Sequence, residues 1–229
     1  MKVVVLQSNY VPWKGYFDLI HKADLFIFYD EVQYTKNDWR NRNRIYTKNG
    51  LQWLTIPVEA HNVHKKISEV KFSSTQWQEL HFKSLSLGYK AAPFFSQLNE
   101  LATEYLINQK WEGLKDLNQF LIKKISGKIG INTEFRDSKD YILEGDKVNR
   151  LLNLLIQVNA SEYISGPSGA DYLLPYLDLF RSKGINVVFA EYPEYKPYRQ
   201  LSQPFQQGVS ILDIISNMSY SEIGSYIWG

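Results

Sequence analysis

The sequence predicts an α/β fold: a mostly parallel sheet with a helical lobe across the middle of the chain. Three observations lead there. Residues 1–29 run strand, loop, helix, strand; residues 76–128 switch to a helical period; and two later apolar runs, 163–165 and 185–190, each adjoin a helix.

Residues 3–6 form a β-branched run, as a strand covered on both faces would. Residues 16–23 read helical, with Phe17, Leu19, Ile20 and Ala23 apolar, and 25–29 make a second buried strand. That is a βαβ unit, whose crossover should be right-handed. It implies a Rossmann-like sheet that binds ligands beyond the C-terminal ends of its strands. Residues 44–46 and 53–58 read as strands of a hairpin turning at Lys48-Asn49-Gly50. Leu101, Tyr105, Leu114, Leu117, Phe120, Leu121 and Ile125 are spaced for helices with one buried face. A Leu-rich helix over 146–158, a strand at 163–165, a helix over 171–183 ending at Gly184 and a strand at 185–190 follow. Two helical pieces fall within 211–227. The expected organisation is one domain over 1–229, with 1–75 and 160–229 as sheet core and 76–158 as a mainly helical lobe.

Composition narrows the function. The 229 residues are 44% apolar, enough for a full-sized core. Cysteine is absent, which excludes disulfides, thiolate metal sites and cysteine nucleophiles. The N-terminal apolar run gives way to Gln7, too short for a signal peptide or a membrane span. A cytoplasmic protein without membrane insertion is expected. Net charge is +2, from 26 basic and 24 acidic residues, so nucleic acid is not an expected partner. The 16 Tyr, 12 Phe and 6 Trp exceed what one core hides easily. They suit a ligand cleft, and they permit a homodimer interface as readily.

Four segments could carry chemistry. Gln7, Ser8, Asn9, Tyr10, Val11, Pro12, Trp13, Lys14, Gly15 and Tyr16 join the first strand to the first helix. Pro12 fixes the backbone there, Gly15 allows close approach, and the free amides suit an anion. The segment 30–44 projects from the same sheet edge and offers Asp30, Gln33, Lys36, Trp39, Arg40, Asn41, Arg42 and Arg44. In an extended chain Arg40, Arg42 and Arg44 share one face, which suits a diphosphate or carboxylate; an ordinary solvated strand face is the competing reading. Ser165-Gly166-Pro167-Ser168-Gly169 resembles a phosphate-cradling turn in composition but lacks the Walker ending, and Ser168 serves equally as a helix cap. Tyr195, Tyr198 and Arg199 follow the 185–190 strand and could wall a pocket.

The histidines are His21, His61, His64 and His81. The His61/His64 spacing could serve a metal, but no cysteine and few carboxylates accompany it, so no metal site is expected. His81 is the best general-base candidate if the helical lobe closes over the sheet.

The run QSNYVPWKGYFDLIHKADLFIFYDEVQYTKNDWRNRNRI, then WLTIPV, KAAPFF, YISGPSGADYL and SILDIISN, resembles the WbqC-like family over nearly the whole chain. The resemblance implies a place in bacterial surface-polysaccharide (O-antigen, lipopolysaccharide) biosynthesis, in modification of an activated sugar. It leads to the expectation of an acyl or aminoacyl transferase acting on a nucleotide-linked amino sugar. Acyl-CoA or another activated acyl donor would serve as co-substrate, and no other cofactor is implied. Arg40, Arg42 and Arg44 would hold the diphosphate, Tyr10, Trp13 and Trp39 would stack on base or sugar, and His81 or Asp30 would take the proton. The first forty residues also resemble the HIGH-type nucleotidyltransferases in element order. Trp13 and Tyr16 stand where the two motif histidines would be, which removes the usual electrostatic donors. A nucleotidyltransferase or ATP-dependent ligase, and a non-catalytic sugar-binding protein, stay open as alternatives.

Overall fold

The computed structural model describes residues 1–59 and 64–228; His61 lies outside them. The chain runs β1 (Lys2–Leu6), α1 (Lys14–His21), β2 (Leu25–Phe28), β3 (Arg42–Thr47) and β4 (Gly50–Thr55). Helices α2 (Gln76–Tyr89), α3 (Phe95–Leu106) and α4 (Leu114–Lys128) follow, then β5 (Glu134–Asp137) and α5 (Lys147–Gln157). The last part holds β6 (Glu162–Ser165), α6 (Ala170–Leu173), α7 (Leu177–Ser182), β7 (Asn186–Phe189), α8 (Ile211–Asn217) and α9 (Tyr220–Ile227).

Five strands form one parallel sheet in the order β5-β2-β1-β6-β7. Side chains on a strand alternate between faces, and here each face has its own core. Val3, Val5, Leu25 and Ile27 pack with Val148, Leu151, Leu152 and Leu155 of α5 and Phe180 of α7. Val4, Phe26 and Phe28 share the other core with Phe17 and Ile20 of α1, Leu117 and Leu121 of α4, and Ile211 and Ile215 of α8. Burial on both faces is what the unbroken apolar runs of β1 and β2 require.

Three expectations need correction. The helical insertion does lie mid-chain, but the mainly helical 76–158 segment also supplies a strand to the sheet. Within it β5 pairs in register with β2, Leu25 opposite Glu134 through Phe28 opposite Asp137, so the sheet core extends beyond 1–75 and 160–229. Next, the hairpin stands apart as a two-stranded sheet and adds nothing to the parallel one. Its positive φ falls at Gly50 (90°). Finally, the helix expected over 171–183 is broken between α6 and α7 by a 3₁₀ turn at Leu174–Tyr176. Pro175 lacks the N–H that a continuous helix would need there.

Candidate functional site

Numbered in chain order without the hairpin, the parallel strands lie third, second, first, fourth, fifth. The order reverses between β1 and β6, and in open α/β sheets ligands bind at that switch point, beyond the carboxyl ends of the strands. A cleft of about 830 Å³ opens there. Its lining comes from Gln7 after β1, Tyr29 and Gln33 after β2, Asp146, Lys147 and Arg150 around the start of α5, and Ser165, Gly166, Ser168, Gly169, Asp171 and Tyr172 after β6.

Local structure explains each position. Asp146 caps α5 by accepting from the Val148 and Asn149 amides at 3.0 and 2.9 Å, which fixes the turn that carries Lys147 and Arg150. Arg150 Nη2 lies 3.4 Å from the Glu31 carbonyl, while its Nε is buried without a partner. Lys147 Nζ sits 3.4 Å from the centre of the Tyr172 ring. An added Cβ at Gly169 would lie 1.9 Å from Ser165 Oγ and 3.2 Å from its Cβ, so a side chain there would have to displace the Ser165 hydroxyl. The Ser165 hydroxyl and Gly169 therefore pack closely in the 165–169 turn.

A second, smaller cavity of about 320 Å³ also borders the loop that follows β1, lined by Asn9, Pro12, Trp13, Trp39, Asn43, Arg44 and Gly208. Arg40 links the two: its guanidinium donates to Oε1 of Gln7 (2.6 Å), a residue of the large cleft, and to Oδ1 of Asn9, a residue of the small one. Asn118 of α4 holds the Arg40 carbonyl at 2.8 Å, so the helical insertion fixes this partition. The loop itself is over-determined. Val11, a β-branched residue at φ 36°, is held by Asn43 Nδ2 and Ser210 Oγ, both donating to its carbonyl at 2.9 and 2.7 Å.

The sequence-predicted residues therefore do not converge on one site. Gln7, Gln33, Ser165, Gly166, Ser168 and Gly169 line the large cleft; Asn9, Trp13, Trp39 and Arg44 line the small cavity. The three arginines do not share a face, because β3 begins only at Arg42 and Arg40 lies in the preceding turn. Arg42 and Arg44 flank Trp53, at 4.5 and 5.7 Å from its ring. Lys36 is exposed at the surface. Tyr10, Tyr16 and Asn41 are buried scaffold: Tyr16 donates to the Gln7 carbonyl (2.9 Å) and Asn41 to the Ile56 carbonyl (2.8 Å). The group that approaches Gly15 is the Trp13 indole, 2.3 Å from where a Cβ would stand.

Both proposed proton acceptors lie in the interior. His81 is 5% exposed and both ring nitrogens are engaged, with Tyr10 at 2.9 Å and the Thr55 carbonyl at 3.2 Å. A carbonyl only accepts, so Nε2 carries the proton and Nδ1 accepts from the tyrosine. Burial lowers its pKa to about 4. Asp30 is fully buried and accepts from the Ser8 amide (2.8 Å) and Gln119 (2.9 Å); burial raises its pKa. Gln119 also reaches Asp137, whose carboxylate pairs with Lys115 at 2.8 Å. Asp30 thus ties the ends of β1, β2 and β5 to α4, directly under the site.

Two features escaped the sequence reading. Lys147 and Arg150 were hidden in a helix read only for its leucines. Lys14 is 3% exposed, and its Nζ has no hydrogen-bond partner. It lies 5.0 to 5.4 Å from the ring centres of Tyr195, Tyr198 and Phe205. Tyr198, expected to contact substrate, instead closes this cage and donates to Asp213 at 2.6 Å.

The WbqC-like protein family signature matches residues 7–224, from the loop after β1 to the last helix. The chain belongs to the WbqC-like family. It is similar to a Mycobacterium tuberculosis protein described as uncharacterized protein Rv1507c, 42% identical over 218 residues, which cover 95% of this chain and 94% of the relative. No solved structure matches significantly. The matched span takes in the Arg40 partition, the small cavity, the Lys14 cage and the large cleft apart from Val5 and Leu6. Among the described residues no helix is long and apolar enough to cross a membrane.

Proposed function

We propose that this WbqC-like protein is a transferase of bacterial surface-polysaccharide assembly, acting on a nucleotide-linked amino sugar. The nucleotide sugar occupies the large cleft. The observation that carries this reading is a cleft of about 830 Å³ at the switch point, lined by Lys147 and Arg150 and by the glycine-containing 165–169 turn. Two cations and a small-residue turn lining one cleft suit a diphosphate. Tyr29 and Tyr172 supply ring faces for base or sugar.

The sugar amine attacks the carbonyl of an activated acyl donor, such as an acyl-CoA. A C–N bond forms, the thiolate leaves, and the amine gives up a proton. Asp146 and Asp171 are the carboxylates lining the cleft, and Asp146 is committed to capping α5. Asp171 is exposed and takes that proton, while His81 and Asp30 are buried.

Thermal shift with nucleotide sugars, acyl-CoA, and ATP with magnesium tests the assignment. A nucleotide sugar at ~100 times its Kd should add about 2.7 kcal/mol of stability. Arg150→Met should weaken that binding at least tenfold, on the order of one charge-assisted contact. Gly169→Val, which forces Ser165 and the turn apart, should abolish the shift and cost about 1–3 kcal/mol of stability. Stabilisation by ATP with magnesium, and none by nucleotide sugars, would move the protein to the nucleotidyltransferase reading.

A further inference from the structure

The small cavity beside the partition has its own chemistry. Most of its accepting groups already take one hydrogen bond from the protein. Asn9 Oδ1 accepts from Arg40, Asn43 Oδ1 from the Arg44 amide, the Pro12 carbonyl from Ile211, the Trp39 carbonyl from Tyr10, and the Gly208 carbonyl from Arg44. Donors are in surplus. Arg44 Nε is buried with no partner, and Asn9 has only the N–H₂ end of its amide left. Charge points the same way: Arg40, Arg42 and Arg44 surround the region, and the carboxylate among them, Asp38, lies 3.6 Å from Arg40. The remaining walls, Pro12 and the Trp13 and Trp39 rings, are flat and apolar. Trp39 is 42% exposed and stacks on Trp53 at 5.8 Å, so an indole borders the mouth.

We propose that this cavity is a second ligand site, for a small organic acid that carries no ammonium group. Its carboxylate pairs with Arg44, and its carbon skeleton lies against Trp13 and Trp39. A cavity of about 320 Å³ is at the small end for ligand sites, matching an acid of a few carbons rather than a nucleotide. The surplus of cations repels an amino acid's ammonium, so the site selects acyl over aminoacyl groups. That last step rests on the transferase reading; the binding itself does not. Arg40 connects Asn9 of this site with Gln7 of the large cleft, so the two ligands share a wall.

The test is a tryptophan-fluorescence titration of the whole protein with lactate, cyclohexanecarboxylate, lactamide and alanine. The two acids should give saturable changes, and the neutral amide and the amino acid should bind at least tenfold more weakly. Arg44→Met should abolish the acid response. Trp39→Leu, at an exposed position that leaves the fold intact, should weaken it severalfold. Arg150→Met, in the other cleft, should leave it unchanged. Equal binding of lactamide or alanine, a response that survives Arg44→Met, or no saturable change up to about 10 mM would overturn the proposal. A nucleotide-sugar shift that persists while the acids fail would sink this site alone; acids that bind while nucleotide sugars fail would sink the cleft assignment alone.

Discussion

Lys14→Met is expected to stabilise the protein by about 1–3 kcal/mol at neutral pH, the range seen when buried charges give way to apolar side chains of similar size. The ammonium has given up its water and gained no acceptor. Three aromatic rings face it, but at 5.0 to 5.4 Å they sit toward the outer limit of useful cation–π distance. Asp213 attracts it, yet that carboxylate accepts its hydrogen bonds from Tyr89, Tyr198 and Gln200. The balance shows in the pKa: burial lowers it from 10.5 to about 8, so these surroundings favour the neutral amine more than water does. Methionine fills the cage with an unbranched, polarisable chain, and Asp213 keeps its three donors.

The pH dependence follows in sign. Between pH 8 and 10.5 the unfolded chain holds a proton on Lys14 that the folded protein has released. Stability therefore rises with pH through this window on account of Lys14, and the advantage of Lys14→Met should shrink across it. Comparing the two proteins by chemical denaturation cancels the tyrosines, which are common to both. An advantage that is absent at pH 7, or that stays constant to pH 10.5, would mean the amine is solvated. A variant that gains stability but loses ligand binding would mark Lys14 as a residue kept at a cost for function.

The fold was legible where one period dominates. The β1 and β2 runs and the leucines of α5 each report a face that must be covered, and the sequence-predicted elements lie within a few residues of the observed ones. β5 carries a single apolar residue, Phe135, in Glu-Phe-Arg-Asp, because an edge strand has one neighbour and little to bury. Nothing local marks it as a strand. The site was legible as loops but not as a geometry. Gln7, Ser165 and Ser168 could be placed at one sheet edge, because parallel strands present their C-terminal ends together. Whether a side chain in those loops faces outward or inward depends on distant partners. Arg40 turns toward Asn9 and Gln7, and Tyr10 turns toward His81, 71 residues along the chain. The aromatic surplus also divides in a way composition cannot show: Tyr10, Trp77, Tyr89 and Tyr105 are wholly or almost wholly buried, while Trp39 and Trp53 are exposed.

That inward placement of His81 has a measurable consequence at acid pH. The folded protein keeps the ring neutral down to about pH 4, whereas an unfolded histidine takes up its proton near 6.5. As pH falls from 6.5 to 4 the unfolded state gains a proton that the folded state refuses, so stability is lost on account of His81, by about 3 kcal/mol in all. His81→Phe keeps a ring against Tyr10 and Trp77, whose centres lie 5.6 and 5.3 Å away, but it cannot titrate. It strands the Tyr10 hydroxyl and the Thr55 carbonyl, which should cost about 1–3 kcal/mol for each group at pH 7. The gap between wild type and variant should then narrow steadily on acidification, the wild type losing what the variant no longer has to lose. Asp30 and Asp213, whose raised pKa values act in the opposite direction, are present in both proteins and drop out of the difference. A gap that stays constant from pH 7 to 4 would show that the ring reaches water. Loss of nucleotide-sugar turnover at unchanged binding in a folded His81→Phe protein would return the histidine to the chemistry and require the helical insertion to move.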